Sequence, residues 1–274
     1  MRYAICNETF EGWDHARVCA TVAELGYTGL EMAPFTLAPR ITDVTLAQRQ
    51  KLRQQAEAVG VQLIGLHWLL AKTEGLMLTS PDVQVRQRTA EYIVELAKAC
   101  RDMGGDLMVF GSPAQRRIPA GATRAQAVDH ATDTFKRALN GIVDAGVRLC
   151  LEPLAPTEAD FIQTAAEACE IIERIKHPNF VLHLDVKAMS SETAPIPELI
   201  KKHASITGHF HANDPNKRGP GFGEVDFVPI FRALKETKYA GWVSVEVFDY
   251  TPDPVTIARE SIRYMRDCEA KLPV

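Results

Sequence analysis

Four ionisable residues, Glu152, Asp185, His211 and Glu246, each sit within or at the end of a short apolar run: CLEPL, LHLDV, FHA and SVEVF. Ionised carboxylates are rarely left in such surroundings unless they are paired or bound to a cation. Any one of the four alone could be structural. Three carboxylates brought to one place repel each other, and a divalent metal relieves that repulsion. Three carboxylate oxygens and one imidazole suit Mn²⁺, Mg²⁺ or Co²⁺ better than the thiolate-rich sites of structural zinc.

The elements that carry these residues follow a regular order. Short β-rich runs occur at 2–6, 27–32, 61–70, 106–112, 147–154, 180–186, 206–212 and 242–248. Between them lie stretches with apolar residues three and four apart, among them 14–26, 85–104 and 164–176, which predicts amphipathic helices. Gly26, Gly60, Gly104 and Gly146 fall just past a helical pattern and before a strand, where a left-handed residue ends a helix. Such βα alternation predicts a parallel sheet covered by helices.

Eight units in 274 residues match a single closed (β/α)8 barrel, typically about 250 residues long. No Gly-rich phosphate fingerprint follows the first strand, as an open dinucleotide-binding sheet would require. The stretches 32–43 and 112–123, rich in Pro and Gly, each follow a strand and are expected to be enlarged βα loops, so residues 1–274 are taken as one domain.

In a parallel barrel the active face is formed at the C-terminal strand ends. Here those ends carry Glu8, Glu31, His67, Ser112, Glu152, Asp185, His211 and Glu246. His209 and His211 are two apart and so project to the same side, with His211 nearer the mouth. His183 and His209 are expected to be hydrogen-bonded core residues and Cys6 to pack. His67 is divided between core and pocket wall. Glu8 and Glu31 either cap a following loop or helix or touch substrate. Trp13, Trp68, Phe248 and Tyr250 are candidates for a pocket wall, with some of them ordinary packing aromatics.

Composition narrows the partners. Apolar residues make up 46% and charged residues 24%, enough for a sizeable core. A net charge of −4 without a basic run gives no footprint for nucleic acid or an anionic membrane. No apolar run approaches the roughly 18 residues of a membrane helix, and the N-terminus lacks a secretory pattern. Six scattered cysteines are expected to be reduced thiols in the cytoplasm.

From residue 147 onward the segments CLEPLAPTE, HLDVKAM, GHFHANDPNKRGPGFGEVDF and GWVSVEVF occur in order. In these segments, and along nearly the whole chain, the sequence resembles the xylose-isomerase-like TIM-barrel sugar isomerases and epimerases, among them the ketose 3-epimerases and hydroxypyruvate isomerases. The resemblance implies that Glu152, Asp185, His211 and Glu246 bind the metal and that Glu152 and Glu246 exchange the proton at the reacting carbon. It implies substrate contacts for Glu158 and for Lys217, with Arg218 beside it. The family places an arginine at 217 and usually a histidine at 188, where this chain has lysine and alanine, so a bidentate fork and an imidazole are replaced.

The implied reaction is proton abstraction beside a carbonyl through a metal-stabilised cis-enediolate. Epimerisation, isomerisation and elimination share that step, so a keto-sugar or keto-cyclitol lyase or dehydratase is the main rival. Lys217, Arg218 and the turn GPGFG are candidates for holding a phosphate or carboxylate. An abasic-site endonuclease would call for a richer histidine cluster and a basic face; a non-catalytic sugar-binding protein would need no metal. By the same resemblance the chain is expected to form dimers or tetramers, and the last helical segment, 256–272, either packs on the barrel or meets a neighbour.

Overall fold

The computed structural model describes residues 1–273. Eight parallel strands close into a barrel: β1 (Arg2–Cys6), β2 (Gly29–Met32), β3 (Gln62–Leu66), β4 (Leu107–Phe110), β5 (Arg148–Leu151), β6 (Phe180–Asp185), β7 (Thr207–Ala212) and β8 (Trp242–Val245). Each strand pairs with the next, and β8 closes on β1 with Arg2 opposite Trp242 and Ile5 opposite Val245. Outside them run α1 (His15–Leu25), α2 (Leu46–Glu57), α3 (Val83–Asp102), α4 (Arg124–Asp144), α5 (Ala165–Ile175), α6 (Val186–Met189), α7 (Ile196–His203), α8 (Phe227–Glu236) and α9 (Pro254–Ala270).

Local chemistry sets the element ends. Asp14 caps α1 by accepting from the Arg17 N–H at 3.2 Å, while Thr45 with Gln48 and Thr123 with Gln126 form reciprocal capping boxes on α2 and α4. Gly26 ends α1 at φ +94°, and its N–H bonds back to the Ala23 carbonyl. Gly60, Gly104 and Gly146 also have positive φ, as the sequence predicts. The helices turn apolar faces inward. On α9 these are Ile257, Ala258, Ile262, Met265 and Cys268, and a fully buried Ile or Met is worth about 1.5–3 kcal/mol. The last helix therefore packs on the barrel.

One strand is shorter than its apolar run. The pattern predicts 61–70, yet β3 stops at Leu66 because Trp68 takes a positive φ of 51° and the chain turns. Leu69 and Leu70 are buried in that turn, which kept the run apolar. The stretches 32–43 and 112–123 are loops carrying 3-10 turns.

The barrel interior changes character along its axis. Its lower part is an apolar plug of Ala4, Ile64, Leu107, Val109, Cys150 and Trp242. Above it the inward positions are polar: Glu31 on β2, His183 on β6, His209 on β7 and Ser244 on β8, all fully buried. All six cysteines are free, and no helix among the described residues is long and apolar enough to cross a membrane.

Candidate metal centre

Four neighbouring strands deliver the predicted set to the mouth. Glu152 follows β5, Asp185 ends β6, His211 lies near the end of β7, opposite Asp185 in the pairing, and Glu246 follows β8. All four are buried. Donor atoms of Glu152, Asp185 and His211 lie within 4.8 Å of one another together with one from His183, and His211 Nδ1 is 3.2 Å from Glu246 Oε2. Gly111, beyond β4, gives the Glu152 carboxylate its room: a Cβ there would collide with Glu152 Oε2.

The ligand atoms are oriented from behind. Asp185 Oδ1 accepts from the Ala188 N–H at 2.7 Å and Oδ2 from Asn213 Nδ2 at 2.5 Å. Glu31 faces the imidazoles of His209, at 2.9 Å, and His211, at 3.2 Å, and so fixes the His211 ring. Behind Glu152 lies Arg116, fully buried, whose guanidinium donates to the carbonyls of Glu152 at 2.7 Å and Phe110 at 2.8 Å.

The charges are unevenly compensated. Burial pushes the Glu152 carboxyl well above the usual range, and the nearby Glu246 and Asp185 add to the rise. Burial also raises Asp185. Burial alone would raise Glu246 too, but His211 and then His67 bring it down. For His211 burial disfavours the charged ring, while Glu31 and Glu246 on either side more than offset that. His183 is held well below the usual histidine value by burial and by His211 and His209, which keeps its ring neutral, as a ligand must be.

These residues fit a divalent cation. Glu246 Oε1 and both nitrogens of His183 are buried without a hydrogen-bond partner, and Glu152 and Asp185 are raised by burial and by neighbouring carboxylates, which a bound cation would offset. The donors are oxygen and imidazole nitrogen, the set of Mn²⁺, Co²⁺ or Mg²⁺. The adjacent Cys6 thiol is pushed up to about 11 by burial.

Other expected residues fall differently. His209 is hydrogen-bonded core, as expected, whereas His183 joins the donor cluster instead of the core. Glu31, a candidate for capping or for substrate contact, is fully buried, and its carboxylate faces two imidazoles beneath the mouth. His67 is fully buried, with Nε2 2.8 Å from Glu8 Oε2, off the hydrogen-bond direction, and Nδ1 3.9 Å from Glu31. Trp68 and Phe248 stack at 5.6 Å and Phe35 extends this wall, while Trp13 packs on Phe10 and Arg17.

Glu158 borders a cavity of about 480 Å³ shared with Lys217 and Lys187, and Lys187 Nζ donates to Glu158 Oε2 at 2.5 Å. Of the candidates for holding an anion, Arg218 and the glycine turn are engaged elsewhere. Arg218 reaches Asp249 at 3.5 Å and the Thr251 carbonyl at 2.5 Å, and Gly219 and Gly221 lie against Ser261 and Tyr264 of α9. Sequence reasoning missed Lys187, Asn213, Arg116 and the role of His183. For His183 the signal was there, since it stands two residues before Asp185 and projects to the same side.

Comparison with known proteins agrees with this architecture. A D-psicose 3-epimerase from Ruminiclostridium cellulolyticum is 28% identical over 253 residues, covering 90% of this chain and 82% of that protein. The crystal structure of D-psicose 3-epimerase with D-tagatose from Clostridium cellulolyticum H10 superposes with a TM-score of 0.80 at 24% identity, over 100% of this chain and 93% of the other. That of 3-keto-D-glucoside 4-epimerase from E. coli gives 0.85 at 18% identity, over 98% and 100%. The family model described as xylose isomerase-like TIM barrel matches residues 19–268, from α1 into α9, and the chain belongs to that family.

Proposed function

We propose that this protein is a divalent-metal-dependent sugar epimerase or isomerase, acting on a ketose or keto-sugar derivative at a carbon beside the carbonyl. One observation carries the reading. Glu152 and Glu246 stand at the two ends of an arc of four adjacent strands, with Asp185 and His211 between them. A substrate carbon held over Asp185 and His211 has a carboxylate on each side. The similarity over most of the chain to a D-psicose 3-epimerase supports the same reaction class.

A divalent cation held by Glu152, Asp185, His211 and Glu246, Mn²⁺ first and Co²⁺ or Mg²⁺ next, supplies the positive charge that stabilises the negative charge developing on the substrate oxygens. The chain's own residues do the rest. One glutamate takes the proton from one face, and the other returns a proton to the opposite face, which inverts the centre. Return to the neighbouring carbon from the same face gives the aldose–ketose isomer. Glu31 and Asn213 hold the ligand side chains in place, Arg116 holds the backbone carbonyl of Glu152, and Phe35, Trp68 and Phe248 wall the mouth.

The test is metal-stripped protein with Mn²⁺, Co²⁺ or Mg²⁺ restored, incubated with ketoses, keto-glycosides and their phosphates in D₂O and followed by NMR. The expected result is metal-dependent deuterium at the carbon beside the carbonyl, abolished by Glu152→Gln and by Glu246→Gln. Exchange accompanied by loss of a β-substituent would move the assignment to a lyase. No metal-dependent exchange with any sugar would overturn the reading.

A further inference from the structure

Lys187 is a buried cation beside the candidate metal centre that the proposed chemistry leaves without a task. It is 8% exposed and stands two residues beyond Asp185. Its place is fixed from both ends. The backbone N–H donates to Asn213 Oδ1 at 2.8 Å, and the same Asn213 holds Asp185 Oδ2. At the tip, Nζ donates to Glu158 Oε2 at 2.5 Å and lies 4.8 Å from the centre of the Phe248 ring. An ammonium has three donors. Among the described residues only Glu158 accepts from it, and Lys187 and Glu158 both border the cavity of about 480 Å³ that also reaches Ser190, Ser191 and Lys217.

Unused donors on a buried cation, aligned with a carboxylate and facing a cavity next to the reacting site, are a means of reading a ligand. The charge balance indicates which kind. Lys187 is already paired with Glu158, and Arg218 is engaged by Asp249 and Thr251. A phosphate placed here would meet the Glu158 carboxylate with only Lys217 left to oppose its charge. Adjacent hydroxyls suit the pair better, since one oxygen accepts from the ammonium while the neighbouring O–H donates to the carboxylate.

The geometry points to Lys187 as a substrate-contacting, specificity-determining residue that, with Glu158, takes two neighbouring hydroxyls of an uncharged sugar. This rests on the keto-sugar reading of the site and extends it. The experiment is titration calorimetry and D₂O exchange of Mn²⁺-loaded wild type, Lys187→Met and Lys187→Arg with D-psicose, D-fructose and D-fructose 6-phosphate. Melting curves establish that each variant is folded, and Lys187→Arg, which keeps the charge, stands in if Lys187→Met does not fold.

The expected result is tighter binding of the unphosphorylated sugars by wild type, a rise in Kd and KM of about ten- to a hundredfold in Lys187→Met with kcat changed much less, and partial recovery in Lys187→Arg. Mn²⁺ affinity should not fall in Lys187→Met, which removes a positive charge near Asp185 and Glu246, as it would if Lys187 only propped up the centre. Binding that falls in Lys187→Met without any exchange in wild type would uphold Lys187 and remove the epimerase reading. Exchange with unchanged Kd and KM in Lys187→Met would do the reverse. Preference for the phosphate, lost in Lys187→Met, would overturn the hydroxyl assignment, and absence of binding by any of the three sugars would overturn both.

Discussion

Replacing Glu152 with glutamine should move two properties of the protein in opposite directions. Without metal, burial and the neighbouring Glu246 and Asp185 push the Glu152 carboxyl well above its ordinary 4.5. Above about that pH the folded chain holds a proton the unfolded chain has lost, so stability falls as pH rises through the raised folded value. Asp185, raised from 3.8 chiefly by burial, adds in the same sense. The E152Q amide cannot ionise, so the metal-free variant should melt above wild type at pH 8 and show a shallower decline from pH 6 to 8. With metal the order reverses. At a cation concentration about 100 times Kd, binding stabilises wild type by about 2.7 kcal/mol, or roughly 5–11 °C in Tm. Loss of one of three carboxylate donors should weaken binding by about a hundredfold, the upper end of what disturbed outer partners cause. The same concentration then only matches the new Kd and contributes about 0.4 kcal/mol, roughly 1–2 °C. Thermal melts in chelator and in Mn²⁺ at pH 6, 7 and 8 decide it. A metal-free E152Q that melts below wild type at pH 8, or one that keeps the full Mn²⁺ shift, refutes the reasoning.

Three further substitutions separate ligand, orienting group and scaffold. Glu246→Gln, assayed at saturating Mn²⁺ with bound metal measured directly, should lower kcat by about 10²–10⁴, the usual contribution of a positioned acid or base. Glu31→Gln removes the carboxylate that faces His209 and His211 and should weaken Mn²⁺ binding about 10–100-fold, read by calorimetry, with little change in fold by circular dichroism. Arg116→Met leaves the carbonyls of Phe110 and Glu152 without their buried donor. At about 1–3 kcal/mol for each of the two groups left unsatisfied, urea denaturation should show a loss of roughly 2–6 kcal/mol.

The fold was legible because its signals are local. β-rich runs alternate with three- and four-residue apolar spacing, and glycines such as Gly26 mark where helices stop, so the strand ends and their four candidate ligands could be located directly. The overlong third strand shows where that logic fails: an apolar run does not distinguish a strand from a buried turn, and Leu69 and Leu70 belong to the turn. The supporting residues were hidden for a different reason. Arg116 lies in a loop whose composition suggests exposure, and its partners are backbone carbonyls, which leave no trace in side-chain pattern. Lys187 follows a strand but belongs to α6, where the alternation of strand faces no longer applies. His183 could have been found by the two-residue rule that singled out His209 and His211; the register shift between Leu182 and His183 is the local irregularity in its strand.

The partners at the mouth show which carboxyls a cation would serve. Glu31 meets the imidazoles of His209 and His211, Glu8 that of His67, Glu246 that of His211, and Glu158 the ammonium of Lys187. Two carboxylates there have no charged group within ion-pair distance, although Lys187 and Arg116 lower Asp185 and Glu152 from further off. Among the described residues Asp185 has no ion pair, its oxygens taken up by the Ala188 N–H and Asn213. Glu152 has only His183, at 3.9 Å, whose ring is held neutral. Both of these carboxyls are pushed upward, as burial also pushes Glu8, whereas Glu31 and Glu246, which face His211, are held down against the effect of burial. The two carboxyls that favour their protons in the metal-free chain therefore stand beside His211 and Glu246, where a bound cation would take the place of those protons. A cation that binds there must displace those protons, so its affinity should rise with pH.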